Sequence, residues 1–175
     1  MSKLEYEIKN LKGFVLGVGY LKDKILKEME KNDYIEVDLL TNDSPFISKK
    51  NINAIPKKQK GKKVSIKKIK KIFKKKRPDY IICNIDDVLS YLRYFVKDSL
   101  YITNNTIYIY SDSKNINLDD IYKRYKRYID SIDNKDGYII INTLNYKNKA
   151  LKNIKYFVVD TLNIIYDFIG NILTG

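Results

Sequence analysis

Hydrophobic and polar positions along this 175-residue chain follow two alternating rhythms. Lys12 to Tyr20 (KGFVLGVGY) is a short apolar run of strand formers closed by glycines. Leu21 to Lys31 then has helical spacing, with Leu21, Ile25, Leu26 and Met29 on one face. Tyr34 to Leu40 reads as a second strand and Asn42-Asp43-Ser44-Pro45 as a turn. Residues 46 to 63 show no period and carry Pro56 and Gly61, which predicts a loop. Val64 to Lys75 predicts an amphipathic helix: Ile66, Ile69, Ile72 and Phe73 form a stripe among lysines, and Arg77-Pro78 ends it.

Asp79 to Ile85 (DYIICNI) is continuously apolar, as a central parallel strand buried on both faces must be. Asp87 to Lys97 predicts a helix with Val88, Leu92, Phe95 and Val96 inward, and Thr106 to Tyr110 a strand. Leu118 to Ile132 predicts another helix, with Asp119 and Asp120 where the helix dipole favours acid, and Gly137 to Leu144 a fifth strand. Lys149 to Leu173 is long and apolar. It reads as a helix docked on the sheet or in a homo-oligomer interface, with Tyr156-Phe157-Val158-Val159 as a final strand the alternative. Lys155, Asp160 and Asp167 argue against a transmembrane span, because each central charge costs ~2.5–3.5 kcal/mol on insertion. Strands alternating with helices, and no internal repeat, predict one α/β domain over residues 1–175. The expected architecture is a Rossmann-like three-layer sandwich with a mainly parallel central sheet.

Composition narrows the chemistry. The chain has no His and a single Cys, Cys83, inside an apolar run. That excludes the common His- and Cys-based zinc sites and the Ser-His-Asp and Cys-His catalytic sets. The start of the chain lacks a basic-then-apolar leader, which predicts a cytoplasmic protein.

The formal net charge is +13, and it is not evenly spread. Only four of the 34 basic residues are Arg, and Lys, Ile, Asn and Tyr abound, which a compositional bias accounts for. The bias does not explain the clustering of thirteen basic residues and no acid within residues 57–77, while the other 21 basic residues match the 21 acids. Charge this dense opposes compaction unless an anion is near. RNA or another polyanion such as DNA is the first expected partner, and an anionic membrane surface the second. The residues singled out are Lys62, Lys63, Lys67, Lys68, Lys70, Lys71, Lys74 and Lys75. The competing reading is a solvated helix face beside a loop. Tyr122, Tyr125 and Tyr128 interleave a smaller basic group, either to stack bases or, as tyrosines on a helix more often do, to pack.

One turn carries candidate chemistry. The first strand ends Gly17-Val18-Gly19-Tyr20 and a helix follows, so glycines let the backbone approach a ligand at a helix start. Asp38 follows Gly19 by 19 residues, at the expected end of the second strand, the spacing of an acid that holds a ribose. Together with Asp79-Tyr80-Ile81-Ile82-Cys83-Asn84, this order resembles the class I S-adenosylmethionine-dependent methyltransferases over residues 12–110. The resemblance implies S-adenosylmethionine as cofactor. It sets Gly17 and Gly19, with Tyr20, beside the methionine part, and Asp38, with Leu39, at the ribose. Asn84 falls near the transferred methyl group. The family usually has an acid where Gly17 stands and a third glycine where this chain has Leu21 or Lys22. Two functions follow as expectations: a methyltransferase acting on an RNA-like polyanion, or a non-catalytic scaffold of the same fold acting through its basic segment.

Overall fold

The computed structural model describes residues 3–41, 52–56, 77–88, 92–111, 118–135 and 137–144. The eight lysines singled out above and the apolar stretch 149–175 lie outside the described residues. The helix α1 (Lys3–Lys9) leads into β1 (Gly13–Val18), α2 (Asp23–Lys31), β2 (Ile35–Thr41) and β3 (Ile52–Pro56). After β4 (Tyr80–Asn84) come α3 (Leu92–Ile102), β5 (Thr106–Tyr110), α4 (Asp119–Tyr125), β6 (Ile129–Lys135) and β7 (Tyr138–Thr143).

The strands form one seven-stranded sheet, in the order β3-β2-β1-β4-β5-β7-β6. Neighbours from β3 through β5 are parallel, and β7 runs antiparallel to both β5 and β6. The chain builds outward from β1 to β3, then starts again on the other side of β1 with β4. Strand order therefore reverses between β1 and β4, the place where open α/β sheets take ligands.

Side-chain alternation sends the sheet's apolar residues into two cores. Leu16, Ile81, Cys83 and Ile109 face Phe95, Val96 and Leu100 of α3 and Tyr125 of α4. Val15, Val37, Leu39 and Ile82 face Leu4 and Ile8 of α1 and Ile25 and Met29 of α2. Helices thus cover both faces, as right-handed crossovers on either side of the reversal require. The expected three-layer sandwich is what forms, and Cys83 is a buried thiol outside any disulfide. Among the described residues no helix is long and apolar enough to cross a membrane.

The amino edge is fixed by two side chains. Asp79 accepts the Phe14 N–H at 2.9 Å and the Asn104 side-chain amide at 3.3 Å, tying β1, β4 and the approach to β5. Gly13 has φ 122°, and a Cβ there would collide with that carboxylate. Asn32 donates to the carbonyls of Ile8 and Leu11 at 3.1 and 3.0 Å, and so holds the end of α1 against α2.

Three expectations are corrected. Residues 46–63, read as a loop, contain β3. This strand is five residues long, pairs among the described residues with β2 alone and ends in Pro56, which an edge position tolerates. The helix expected over Asp87–Lys97 begins at Leu92; Ile85–Asp87 is a 3-10 turn, and the Asn84 side chain accepts the Asp86 N–H at 3.1 Å. The helix expected over Leu118–Ile132 stops at Tyr125, and Ile129–Lys135 is strand β6 instead. Its spacing suits a helix, but hairpin pairing with β7 across Gly137 (φ 81°) overrides local propensity. Of the three tyrosines there, Tyr125 and Tyr128 are buried and only Tyr122 is exposed.

Glu28 joins α2 to α1. Its carboxylate accepts from Lys31 Nζ at 2.9 Å and lies 3.8 Å from Lys9 Nζ. The Lys31 hydrogen bond holds its carboxyl below the usual value of 4.5, against an upward push from desolvation. A depressed folded value stabilises above the unfolded value, and that contribution is lost as pH falls through the folded one. Urea midpoints should therefore fall as pH drops below 4.5, and Glu28→Gln should flatten that part of the fall. An unchanged slope would remove Glu28 as its source.

Candidate functional site

At the carboxyl edge β1 ends at Val18, and Gly19, with φ 82°, turns the chain toward α2. A positive φ is unstrained only for glycine. Gly17 is needed for space instead. A Cβ there would lie 2.6 Å from Leu39 Cδ2 and 2.9 Å from Leu21 Cδ1. Leu21 is only 2% exposed and packs into the α1–α2 core. The two departures from the methyltransferase pattern therefore meet in space: a side chain at position 17 would press on the end methyls of Leu39 and Leu21, which would have to shift.

Hydrogen bonds knit the strand exits together. Asn84, at the end of β4, donates from Nδ2 to the Tyr20 carbonyl at 3.2 Å, spanning the reversal point. The Lys22 N–H donates to Tyr110 Oη at 3.1 Å, joining the β1 and β5 exits. Ser111 Oγ donates to the Asp86 carboxylate at 3.1 Å, joining those of β5 and β4. Beside Tyr20 and Lys22 opens a cleft of about 590 Å³, walled by Tyr110, Ser111 and Tyr138.

The structure brings Gly17, Gly19, Tyr20, Leu39 and Asn84 together around the reversal point. Asp38 is different. It was expected near the end of a strand over Tyr34–Leu40; β2 spans Ile35–Thr41, and Asp38 pairs with Leu16 within the sheet. Its side chain is 8% exposed, a buried carboxylate below the turn. Tyr110 and Ser111 escaped the sequence reading. Their signal was positional: Tyr110 ends the TIYIY run and Ser111 follows it, and parallel strands deliver their last residues to the ligand edge.

No family model and no curated protein matches the sequence. Solved structures match the fold. The MycE methyltransferase from the mycinamycin biosynthetic pathway, in complex with Mg and SAH, superposes with a TM-score of 0.58 at 12% identity, over 80% of this chain and 44% of that one. Human methyltransferase-like protein 13 in complex with SAH gives 0.52 at 10% identity, over 82% of this chain and 76% of that one. The chain has the fold of S-adenosylmethionine-dependent methyltransferases. A putative SAM-dependent methyltransferase from Streptococcus mutans gives 0.52 at 10% identity, over 81% and 47%. The chain spans less than half the length of MycE and of the Streptococcus mutans protein.

Within this methyltransferase fold the Gly17–Leu21 contact makes a stability prediction. Gly17→Ala should cost about 1–3 kcal/mol, the range for overpacking a filled core. In a Leu21→Ala background the same change should cost less, with Leu39 keeping the remainder. Denaturant melts of the four proteins give the coupling, and strict additivity would contradict the contact.

Proposed function

We propose that the chain binds S-adenosylmethionine at the carboxyl edge between β1 and β4 and acts as a methyltransferase on an RNA-like polyanion. The observation that carries this reading is the strand-order reversal with a Gly19 turn at its apex and Asn84 facing it. The donor set fits such a cofactor in kind. Gly19 lets backbone come close, the 8%-exposed Asp38 is an acceptor suited to ribose hydroxyls, and Asn84 holds the turn by its Tyr20 carbonyl. Bound there, the cofactor would supply an electrophilic methyl group. The chain's part is then to orient and to exclude water, work that needs no histidine.

The charge of the chain supports the choice of acceptor. β3 is parallel to β2 and its last residue, Pro56, pairs with Thr41 at the same edge as the glycine turn; the basic segment follows it in sequence. Lys62, Lys63, Lys67, Lys68, Lys70, Lys71, Lys74 and Lys75 would contact phosphates and carry no base preference. A cytoplasmic location belongs to the same proposal. A second reading is favoured by Gly17 and Leu21: without the family's acid and third glycine, the chain is a scaffold that has the fold without the cofactor.

Titration calorimetry with SAH separates the two. The methyltransferase reading expects saturable binding, weakened at least about tenfold by Asp38→Ala, since a hydrogen bond to a charged group contributes about 1.5–3 kcal/mol. No binding at millimolar SAH leaves the scaffold. The basic segment has its own test. Neutralising Lys67, Lys68, Lys70 and Lys71 should weaken RNA binding and reduce the slope of log affinity against log salt by about 3–4, at 0.7–0.9 per phosphate contact. Unchanged binding would discard the segment as a polyanion site.

A further inference from the structure

Asn84 has other work than its place in the methyltransferase pattern implies. The resemblance sets it near the transferred methyl group, yet the structure engages both ends of its side-chain amide within the protein. Oδ1 accepts the Asp86 N–H at 3.1 Å, and Nδ2 donates to the Tyr20 carbonyl at 3.2 Å. Its backbone carbonyl accepts from Cys83 Sγ at 3.3 Å, and the residue is 6% exposed. Only an amide in this orientation serves both side-chain neighbours, since Asp86 brings a donor and Tyr20 an acceptor.

The segment it holds lacks other local support. Residues 20–22 lie between β1 and α2, directly after the positive-φ Gly19. Glycine opens conformations to a chain that a turn of fixed shape must not sample. A helix start is commonly fixed by a side-chain cap, but the N-cap of α2 is Lys22, which makes no capping hydrogen bond. The fixing comes instead from across the sheet, from Asn84 on the Tyr20 carbonyl and Tyr110 on the Lys22 N–H.

We infer that Asn84 is a positioning residue: its amide, oriented by Asp86, clamps the Tyr20 carbonyl and sets the glycine turn for the ligand. It acts on that ligand through the turn. That the ligand is S-adenosylmethionine rests on the function proposed above; the clamp itself does not.

Asn84→Asp tests the clamp, because it keeps the size and the acceptor for Asp86 and turns the donor facing Tyr20 into an oxygen. SAH affinity, read by calorimetry, should fall about two- to tenfold, the range for one neutral hydrogen bond. The Tyr20 carbonyl-carbon NMR resonance should move as its hydrogen bond is lost. Protonating the new carboxyl restores a donor, so both changes should reverse as the pH is lowered, each read against wild type at the same pH. Carboxylates common to both proteins, Asp38 and Asp86 among them, cancel in that comparison. Asn84→Ser, shorter and uncharged, should show the same losses with no recovery in acid, and it carries the test if the new carboxylate prevents folding. A residue that only packs gives no recovery in either variant. SAH bound by neither wild type nor variant, with the Tyr20 resonance moving and returning, supports the clamp and removes only the methyltransferase reading. SAH bound equally well by wild type and both variants overturns the clamp. So does a Tyr20 resonance that stays in place, or a loss in Asn84→Asp that acid does not reverse.

Discussion

The close approach at Gly17 is the constraint on which the carboxyl edge depends. Leu39 from β2 and Leu21 from the β1–α2 turn both press on a position with no side chain. That contact anchors the turn in the core while Gly19 and Tyr20 rise above it. It also brings together the two positions at which the sequence departs from the methyltransferase pattern. A side chain at position 17 would have to displace the end methyls of Leu39 and Leu21.

Anchoring from below is matched by hydrogen bonds from the side. Asn84 holds the Tyr20 carbonyl, Tyr110 accepts the Lys22 amide, and Asp86 accepts the Ser111 hydroxyl. The exits of three parallel strands therefore form one connected rim, so a ligand at the rim meets side chains already held in place. At the opposite edge Asp79 plays the corresponding part, joining β1 and β4 and leaving no room for a side chain at Gly13.

Much of this was legible in the sequence because burial on both faces leaves a continuous apolar run. β4 and β5 announced themselves that way, and α2 by its stripe of Ile25, Leu26 and Met29. β3 did not, since an edge strand with one neighbour needs no such run. β6 carried a helical spacing, and only its pairing with β7 makes it a strand. Asp38 was placed by spacing, and its burial comes from strands on both sides of β2, where it pairs with Leu16 of β1 and Asn53 of β3. The rim contacts join residues such as Tyr20 and Asn84, 64 positions apart, and no local pattern reports them.

The central claim is that the reversal between β1 and β4 is a cofactor site. Nitrogen–proton NMR spectra of the labelled protein, titrated with SAH, test it at residue level. The account predicts saturable shifts clustered on the amides of Gly17, Gly19, Tyr20, Leu39, Asn84 and Asp86. Spectra unchanged at millimolar SAH, or shifts confined to the amino edge around Gly13 and Asp79, would contradict it.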